Sequence, residues 1–210
     1  MTDQLPGPAY LIRTRRSVVR CWNPADAALL NQAVKESQDH LTPWMPWAKG
    51  ELPSLQERIA WLRRCRGEFD LDKDYVYGIF DPEQKRVLGG TGLHTRLGKG
   101  ALEIGYWIHK DFINQGYATE VAAALTRVAF EVMQVERVEI HCDPQNLRSA
   151  AVPRKLGYSH QETLKEPCEE EGGRCETMIW TLVASDYPTS PAAEAEIEAF
   201  DACGRPILNA

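Results

Sequence analysis

The chain has 210 residues, 43% hydrophobic and 26% charged; that is room for one domain with a full hydrophobic core, and too ordinary a mix for a collagen-like, low-complexity or wholly disordered protein. A formal net charge of −6 argues against a protein that coats nucleic acid, because phosphate binding needs clustered Lys and Arg. The longest apolar stretch, residues 121–133, is broken by Arg127 and Glu131, so no membrane span is expected, and the opening Met-Thr-Asp-Gln-Leu-Pro lacks a basic-then-apolar leader, which points to the cytoplasm.

Residues 10–21 are rich in β-branched and aromatic side chains interrupted by Arg, the pattern of a strand or hairpin arm. Asn23 and Pro24 open a helix as N-cap and first helical residue, with Ala27, Leu30, Ala33 and Val34 as its apolar stripe. Residues 41–47, Leu-Thr-Pro-Trp-Met-Pro-Trp, form an aromatic loop stiffened by proline. Ser54 and Glu57 then make a capping box ahead of Leu55, Ile59 and Leu62 on one helical face. Strands are predicted at 75–80, 87–94 and 102–108, joined by Asp81-Pro82 and Gly98-Lys-Gly100, hence three antiparallel strands in a row. Val121, Ala124, Leu125, Val128, Ala129 and Val132 recur at helical spacing. A strand at 137–142, a short helix at 149–156 closed by Gly157, and a hairpin of 158–164 and 177–183 with an acidic tip at 169–173 follow. After Tyr187 the chain turns Pro-, Ala- and Glu-rich. The domain is therefore drawn as residues 1–187, with 188–210 as a loosely attached tail.

Several features read as structure before chemistry. The basic runs at 13–16 and 63–66 sit inside predicted elements and read as solvated faces. Six cysteines without a C-x-x-C read as reduced thiols, and the spacing of Cys168, Cys175, His141 and Cys142 matches no structural zinc pattern, so no metal is expected. The glycines at 89, 90 and 92 are not followed by an amphipathic helix, and Gly98-Lys99 lacks the first Gly and the Ser/Thr of a P-loop; both are strand punctuation. His94, His109 and His141 read as structural, and Glu169–Glu171 as a solvated tip.

One cluster carries chemistry. Residues 113–118, Ile-Asn-Gln-Gly-Tyr-Ala, stand between a strand and the best helix in the chain. A glycine loop feeding a helix N-terminus aims free backbone N–H groups, with the helix dipole behind them, at one spot suited to a pyrophosphate. The alternative is a plain strand-to-helix turn.

Four segments then resemble a family in order and spacing: residues 102–108 (Leu-Glu-Ile-Gly-Tyr-Trp-Ile), 115–120 (Gln-Gly-Tyr-Ala-Thr-Glu), 142–149 (Cys-Asp-Pro-Gln-Asn-Leu-Arg-Ser) and 155–158 (Lys-Leu-Gly-Tyr). Together they resemble the GNAT N-acetyltransferases, most of all the RimJ/RimL type, over roughly residues 10–187. The resemblance implies an α/β GNAT fold: a mixed, mostly antiparallel sheet of about seven strands, splayed between its fourth and fifth, with about four helices. It implies transfer of the acetyl group of acetyl-CoA to a primary amine in a ternary complex. The backbone at Gln115, Gly116, Tyr117, Ala118 and Thr119 would hold the pyrophosphate, that at Trp107, Ile108 and His109 the pantetheine arm, and Asn146 would contact the arm. Ser149 would lie near the sulfur as acid, and Trp44 and Trp47, on the loop that overhangs the acceptor in this family, would border the substrate.

Two departures stand out. Ile113 occupies the place of the family's Gln or Arg, and Pro153 falls within the short helix, so that with Ser149 as N-cap the first intrahelical bond is forgone. Strand alternation puts Glu103, Gly105 and Trp107 on one face. Glu103 is thus the candidate base for the attacking amine, directly or through water, with Gly105 leaving room beside it, and the alternative is a solvated strand carboxylate. The acceptor is expected to be a protein or peptide α-amine. A small-molecule amine, or a non-catalytic module that senses acyl-CoA, remains open, as does a homodimer.

Overall fold

The computed structural model describes residues 8–167 and 174–209. The N-terminal six-residue segment, Cys168 and the acidic tip at 169–171 discussed above lie outside these residues. In chain order the elements are β1 (Leu11–Arg13), β2 (Val18–Cys21), α1 (Ala27–Leu41), α2 (Leu55–Asp70), β3 (Tyr75–Phe80), β4 (Val87–His94), β5 (Ala101–Ile108), α3 (Tyr117–Glu131), β6 (Arg137–Cys142), α4 (Leu147–Lys155), β7 (Ser159–Pro167), β8 (Arg174–Val183), β9 (Glu198–Phe200) and β10 (Pro206–Leu208). All described strands join one sheet in the order β10-β9-β1-β2-β3-β4-β5-β6-β8-β7. No helix among the described residues is long and apolar enough to cross a membrane.

The helix starts follow their capping chemistry. Before α1, Asn23 accepts from the Ala25 N–H at 2.9 Å while Asp26 accepts from the Asn23 N–H at 2.8 Å, and this reciprocal pair folds a 3-10 turn ahead of the helix proper. Ser54 and Glu57 cap α2 in the same way. The three predicted antiparallel strands are β3, β4 and β5, paired from Tyr75↔Leu93 and from His94↔Glu103. Adjacent residues of one strand serve different layers. Val19 and Ile79 pack with α3, whereas Val18 and Phe80 pack with Leu30, Val34 and Leu62 of α1 and α2, as a two-residue side-chain period demands.

Among the described residues ten strands replace the expected seven. Residues 10–21 make two strands in a hairpin, Leu11↔Arg20 to Arg13↔Val18. The remaining surplus comes from the segment expected as a loose tail, and that expectation is corrected. Residues 198–200 pair antiparallel with β1 (Ile12↔Ala199), and β10 covers β9 in turn. Ala192, Ile197 and Ala199 are buried in the main core. Without β9 the inner edge of β1 would expose a row of unpaired N–H and C=O groups, a liability that the returning chain removes.

The feature that makes the site is a missing pairing. β5 and β6 run parallel, but their register extends only over Ala101↔Arg137, Leu102↔Val138 and Glu103↔Glu139. Beyond Glu103 the strands part, and β5 from Ile104 to Ile108 keeps its β4 partner alone.

Candidate active site

Two cavities lie against the half of β5 that has lost its β6 partner, and they share part of their lining. One, of about 330 Å³, is lined by α3's first turn, by Asn146, Ser149 and Val152 of the α4 region, and by Tyr106, Trp107 and Ile108 of β5. The other, of about 1460 Å³, lies under α2 and the aromatic loop and is lined by Trp47, Arg58, Trp61, His94, Gly105 and Trp107 among others. Met45, Tyr106 and Trp107 border both. A group held in the first cavity can therefore come close to one held in the second beside Met45, Tyr106 and Trp107.

The anion loop has the geometry expected of it. Gly116 is the N-cap of α3 in the left-handed region, φ 86°, with no side-chain cap, a conformation that glycine adopts without steric cost. The first intrahelical bond runs from Glu120 N–H to Gly116 C=O at 3.0 Å. The N–H groups of Tyr117, Ala118 and Thr119 have no acceptor among the described hydrogen bonds and line the smaller cavity. Three uncapped N–H donors beside a strand edge that lacks its partner fit a pyrophosphate joined to an amide-bearing arm. Trp107, Ile108, Gly116, Tyr117, Ala118, Thr119 and Asn146 all line this cavity.

Gln115 and His109 do not. The Gln115 side chain donates to the Asp111 carbonyl at 2.8 Å. His109 is buried; its N–H donates to the Leu88 carbonyl at 2.8 Å, Nδ1 accepts from the Asp111 N–H at 3.2 Å, and Nε2 donates to Glu36 at 2.9 Å. Glu36, His109 and Asp111 lie close enough together to suggest a cation site, but both ring nitrogens are already committed to the protein.

Arg16, read from the sequence as part of a solvated face, reaches the loop instead. Its guanidinium donates to the Gln115 carbonyl at 3.0 Å, pairs with Glu120 at 2.7 Å, and stacks 4.4 Å from the Tyr117 ring centre. A cation from β-hairpin residue 16 thus stands beside the loop in which Ile113 replaces the family's polar residue. Arg148 and Lys155 add positive charge on the α4 wall, while burial first, and the charge of Arg148 second, hold the nearby His40 imidazole below its ordinary range.

Ser149 is not the N-cap of α4. Asn146 is, accepting from the Ser149 N–H at 3.1 Å, and the helix begins at Leu147. Pro153 still has its expected consequence one turn further on. With no N–H of its own it leaves the Ser149 carbonyl without the usual intrahelical donor, and the Tyr106 hydroxyl donates to that carbonyl at 3.1 Å. The same hydroxyl lies 3.2 Å from Ser149 Oγ. Burial pushes the Tyr106 hydroxyl far above the ordinary tyrosine range, outweighing the Ser149 hydrogen bond that acts the other way, so Tyr106 stays neutral and holds Ser149 at the gap.

On the acceptor side the expectations divide. Trp47 is 52% exposed and meets Trp107 edge-on at a centroid distance of 6.0 Å, lining the larger cavity. Trp44 lines only the smaller cavity, so the structure does not bring it together with Trp47 at the larger one. Gly89 and Gly90 are more than punctuation, because a Cβ at either would strike Trp107, at its carbonyl oxygen or its indole nitrogen.

Glu103 lines neither cavity. It is buried, Arg96 grips both of its oxygens (Nε at 2.6 Å to one), and His141 Nδ1 lies 3.6 Å away. Burial alone would raise its pKa, but the Arg96 hydrogen bond and the charges of His141, Arg96 and His94 together take it below the ordinary value. A carboxylate held ionised by arginine is a weak proton acceptor, so its geometry does not support the role of direct base. His141 is structural as expected, paired with Glu139 at 2.7 Å. His94, also expected to be structural, lines the larger cavity.

Similarity to known proteins agrees with this geometry. The model of the acetyltransferase (GNAT) domain matches residues 16–159. YdaF of Bacillus subtilis (strain 168) is 25% identical over 172 residues, covering 80% of this chain and 92% of that protein. The [ribosomal protein uS5]-alanine N-acetyltransferase of Escherichia coli (strain K12) is 24% identical over 185 residues, covering 86% and 94%. The structure of RimL, the ribosomal L7/L12 α-N-protein acetyltransferase, in complex with coenzyme A superposes with a TM-score of 0.73 at 19% identity over 82% of this chain and 97% of that one, which shows a shared fold. The family match spans more than half of the sequence and includes the parted strands and the amide-lined loop: the chain belongs to the GNAT acetyltransferases and is an acetyl-CoA-dependent N-acetyltransferase.

Proposed function

We propose that the acceptor is the N-terminal α-amine of a protein or peptide, acetylated by direct attack in a ternary complex in the cytoplasm. The observation that carries this reading is the meeting of the two cavities at Met45, Tyr106 and Trp107, which lets an amine from one side approach an acyl group on the other without an acyl-enzyme. The larger cavity, at about 1460 Å³, accommodates the first residues of a chain as well as its amine. Relatives named for acetylating ribosomal proteins at an alanine or an α-amine support the same class of acceptor.

Bound acetyl-CoA supplies an activated thioester. The amides of Tyr117, Ala118 and Thr119 bind its pyrophosphate, with Arg16 adjacent. The freed edge of β5 at Trp107 and Ile108 orients the arm, and Asn146, whose Oδ1 caps α4, keeps its amide N–H₂ for the arm. Ser149, steadied by Tyr106, offers a hydroxyl to the departing sulfur. Trp47 borders the acceptor. The test is a thiol-release assay with peptides bearing free or blocked α-amines, followed by mass spectrometry of the product. One acetyl group on the α-nitrogen, and no turnover of blocked peptides, is the expected result; acetylation of small amines alone would reassign the acceptor.

A further inference from the structure

We propose that His94, oriented by Asp74, is the catalytic base that takes the proton of the attacking amine. His94 ends β4 on the face of the larger cavity, directly across from Glu103. Its Nδ1 lies 3.0 and 3.1 Å from the two carboxylate oxygens of Asp74, a residue also held by the Thr95 N–H at 3.4 Å. An ionised carboxylate only accepts, so Nδ1 carries the hydrogen and Nε2 presents its lone pair. That nitrogen has no protein partner among the described hydrogen bonds.

The ring is where it is because two glycines make room. A Cβ on Gly92 would come within 2.6 Å of Nε2, and one on Gly105 within 3.3 Å of the same atom. Nε2 therefore lies close to Gly105, the residue beside Tyr106, which borders both cavities. The ring is only partly exposed, at 20% of its side-chain surface. A histidine with one nitrogen fixed by a carboxylate and the other bare over a cleared strand, next to the opening between two substrate cavities, has the arrangement of a general base. The charged groups beside it are Asp74 ahead of β3 and, across the strand pair, Glu103 on β5 with its partner Arg96; Glu51, and Glu57, Arg58, Arg63 and Arg64 of α2, line the same cavity.

In the step, the amine nitrogen forms its bond to the thioester carbonyl carbon as the carbon–sulfur bond breaks, and that electron pair leaves on sulfur. The nitrogen's surplus proton passes to His94 Nε2 and then to solvent, while the sulfur takes a proton from solvent or through Ser149. Asp74 is a positioning residue that fixes the tautomer. The assignment rests on reading the larger cavity as the acceptor site, but not on which amine enters it.

The experiment uses the full chain and any amine that the wild-type protein turns over, so failure to find a peptide acceptor and failure of His94 remain distinct results. His94→Gln is expected to lower kcat by about 10²–10⁴-fold, with acetyl-CoA Kd unchanged, and to abolish the acidic limb of kcat/KM against pH. Asp74→Asn is expected to lower kcat with little change in acceptor KM and to shift that limb. Nitrogen NMR of the free wild-type protein, which does not depend on any variant folding, is expected to show the Nδ1–H tautomer of His94 at high pH. A folded His94→Gln within threefold of wild-type kcat, or an Nε2–H tautomer in the wild type, would overturn the proposal.

Discussion

At the scale of single residues, the site depends on groups left unsatisfied by the fold. Gly116 shows this most directly: its left-handed φ of 86° and missing side chain leave three N–H groups of α3 uncapped. Gly116→Asp would add backbone strain of about 1 kcal/mol and place a carboxylate at the proposed pyrophosphate site. Calorimetry is expected to show acetyl-CoA affinity lost in a variant that still melts cooperatively; unchanged affinity would remove this loop from the cofactor site. Glu103 is the opposite case, a group fully satisfied and so assigned to stability. Its folded pKa is below the ordinary glutamate value, so the stabilisation from ionised Glu103 is present above the unfolded pKa of about 4.3 and is lost as pH falls through the folded value. Urea midpoints measured through this acid range should therefore fall more steeply for wild type than for Glu103→Gln, whose Arg96 remains 59% exposed on its side chain and free to hydrate. Parallel slopes would show that the Arg96 pair adds nothing to folding.

At the scale of elements, legibility followed the length of the pattern. The apolar repeat from Val121 to Val132 locates α3, and the turn residues at 81–82 and 98–100 locate the three antiparallel strands. Tyr117 to Glu120 lie outside the stripe, because the first turn of α3 is only half-buried and faces the smaller cavity; helix propensity has no periodic signal there. β9 is three residues long, too short for alternation to show within an Ala- and Glu-rich run, and nothing local marks its pairing with β1 across the length of the chain. The candidate base was hidden for the same reason. Asp74 and His94 are twenty residues apart in sequence, and the two glycines that clear the ring, Gly92 and Gly105, lie on different strands. The docking of the C-terminal segment can be tested directly. Ala199 is fully buried opposite Ile12, so Ala199→Asp should cost at least about 2 kcal/mol by burying an unpaired charge. Surface substitutions usually stay within about 0.5 kcal/mol, so a loss that small in chemical denaturation would return residues 198–209 to the status of an appendage.

At the scale of the molecule, one sheet keeps its inner strands paired except where β5 and β6 part. Both faces carry helices, the N-terminal hairpin is covered by the returning C-terminal strands, and the single parallel pair is released after three residues. This layout separates the rigid body from the responsive part. The proposed cofactor contacts come from the free edge of β5, the start of α3 and the start of α4, three segments that together line the smaller cavity. Coenzyme A should therefore act as a local clamp whose energy appears as global stability. At a ligand concentration of one hundred times Kd, mass action contributes about 2.7 kcal/mol to unfolding, enough for a rise in Tm of several degrees. Hydrogen exchange should then slow most at residues 113–119, 104–108 and 146–149, where amides gain partners or lose access to water. It should change least at β9 and β10, which lie at the far end of the sheet order from β5. Protection spread evenly over the whole chain would mean that the ligand acts only through the global unfolding equilibrium. Protection centred on the larger cavity would place the cofactor in that cavity instead of the smaller one.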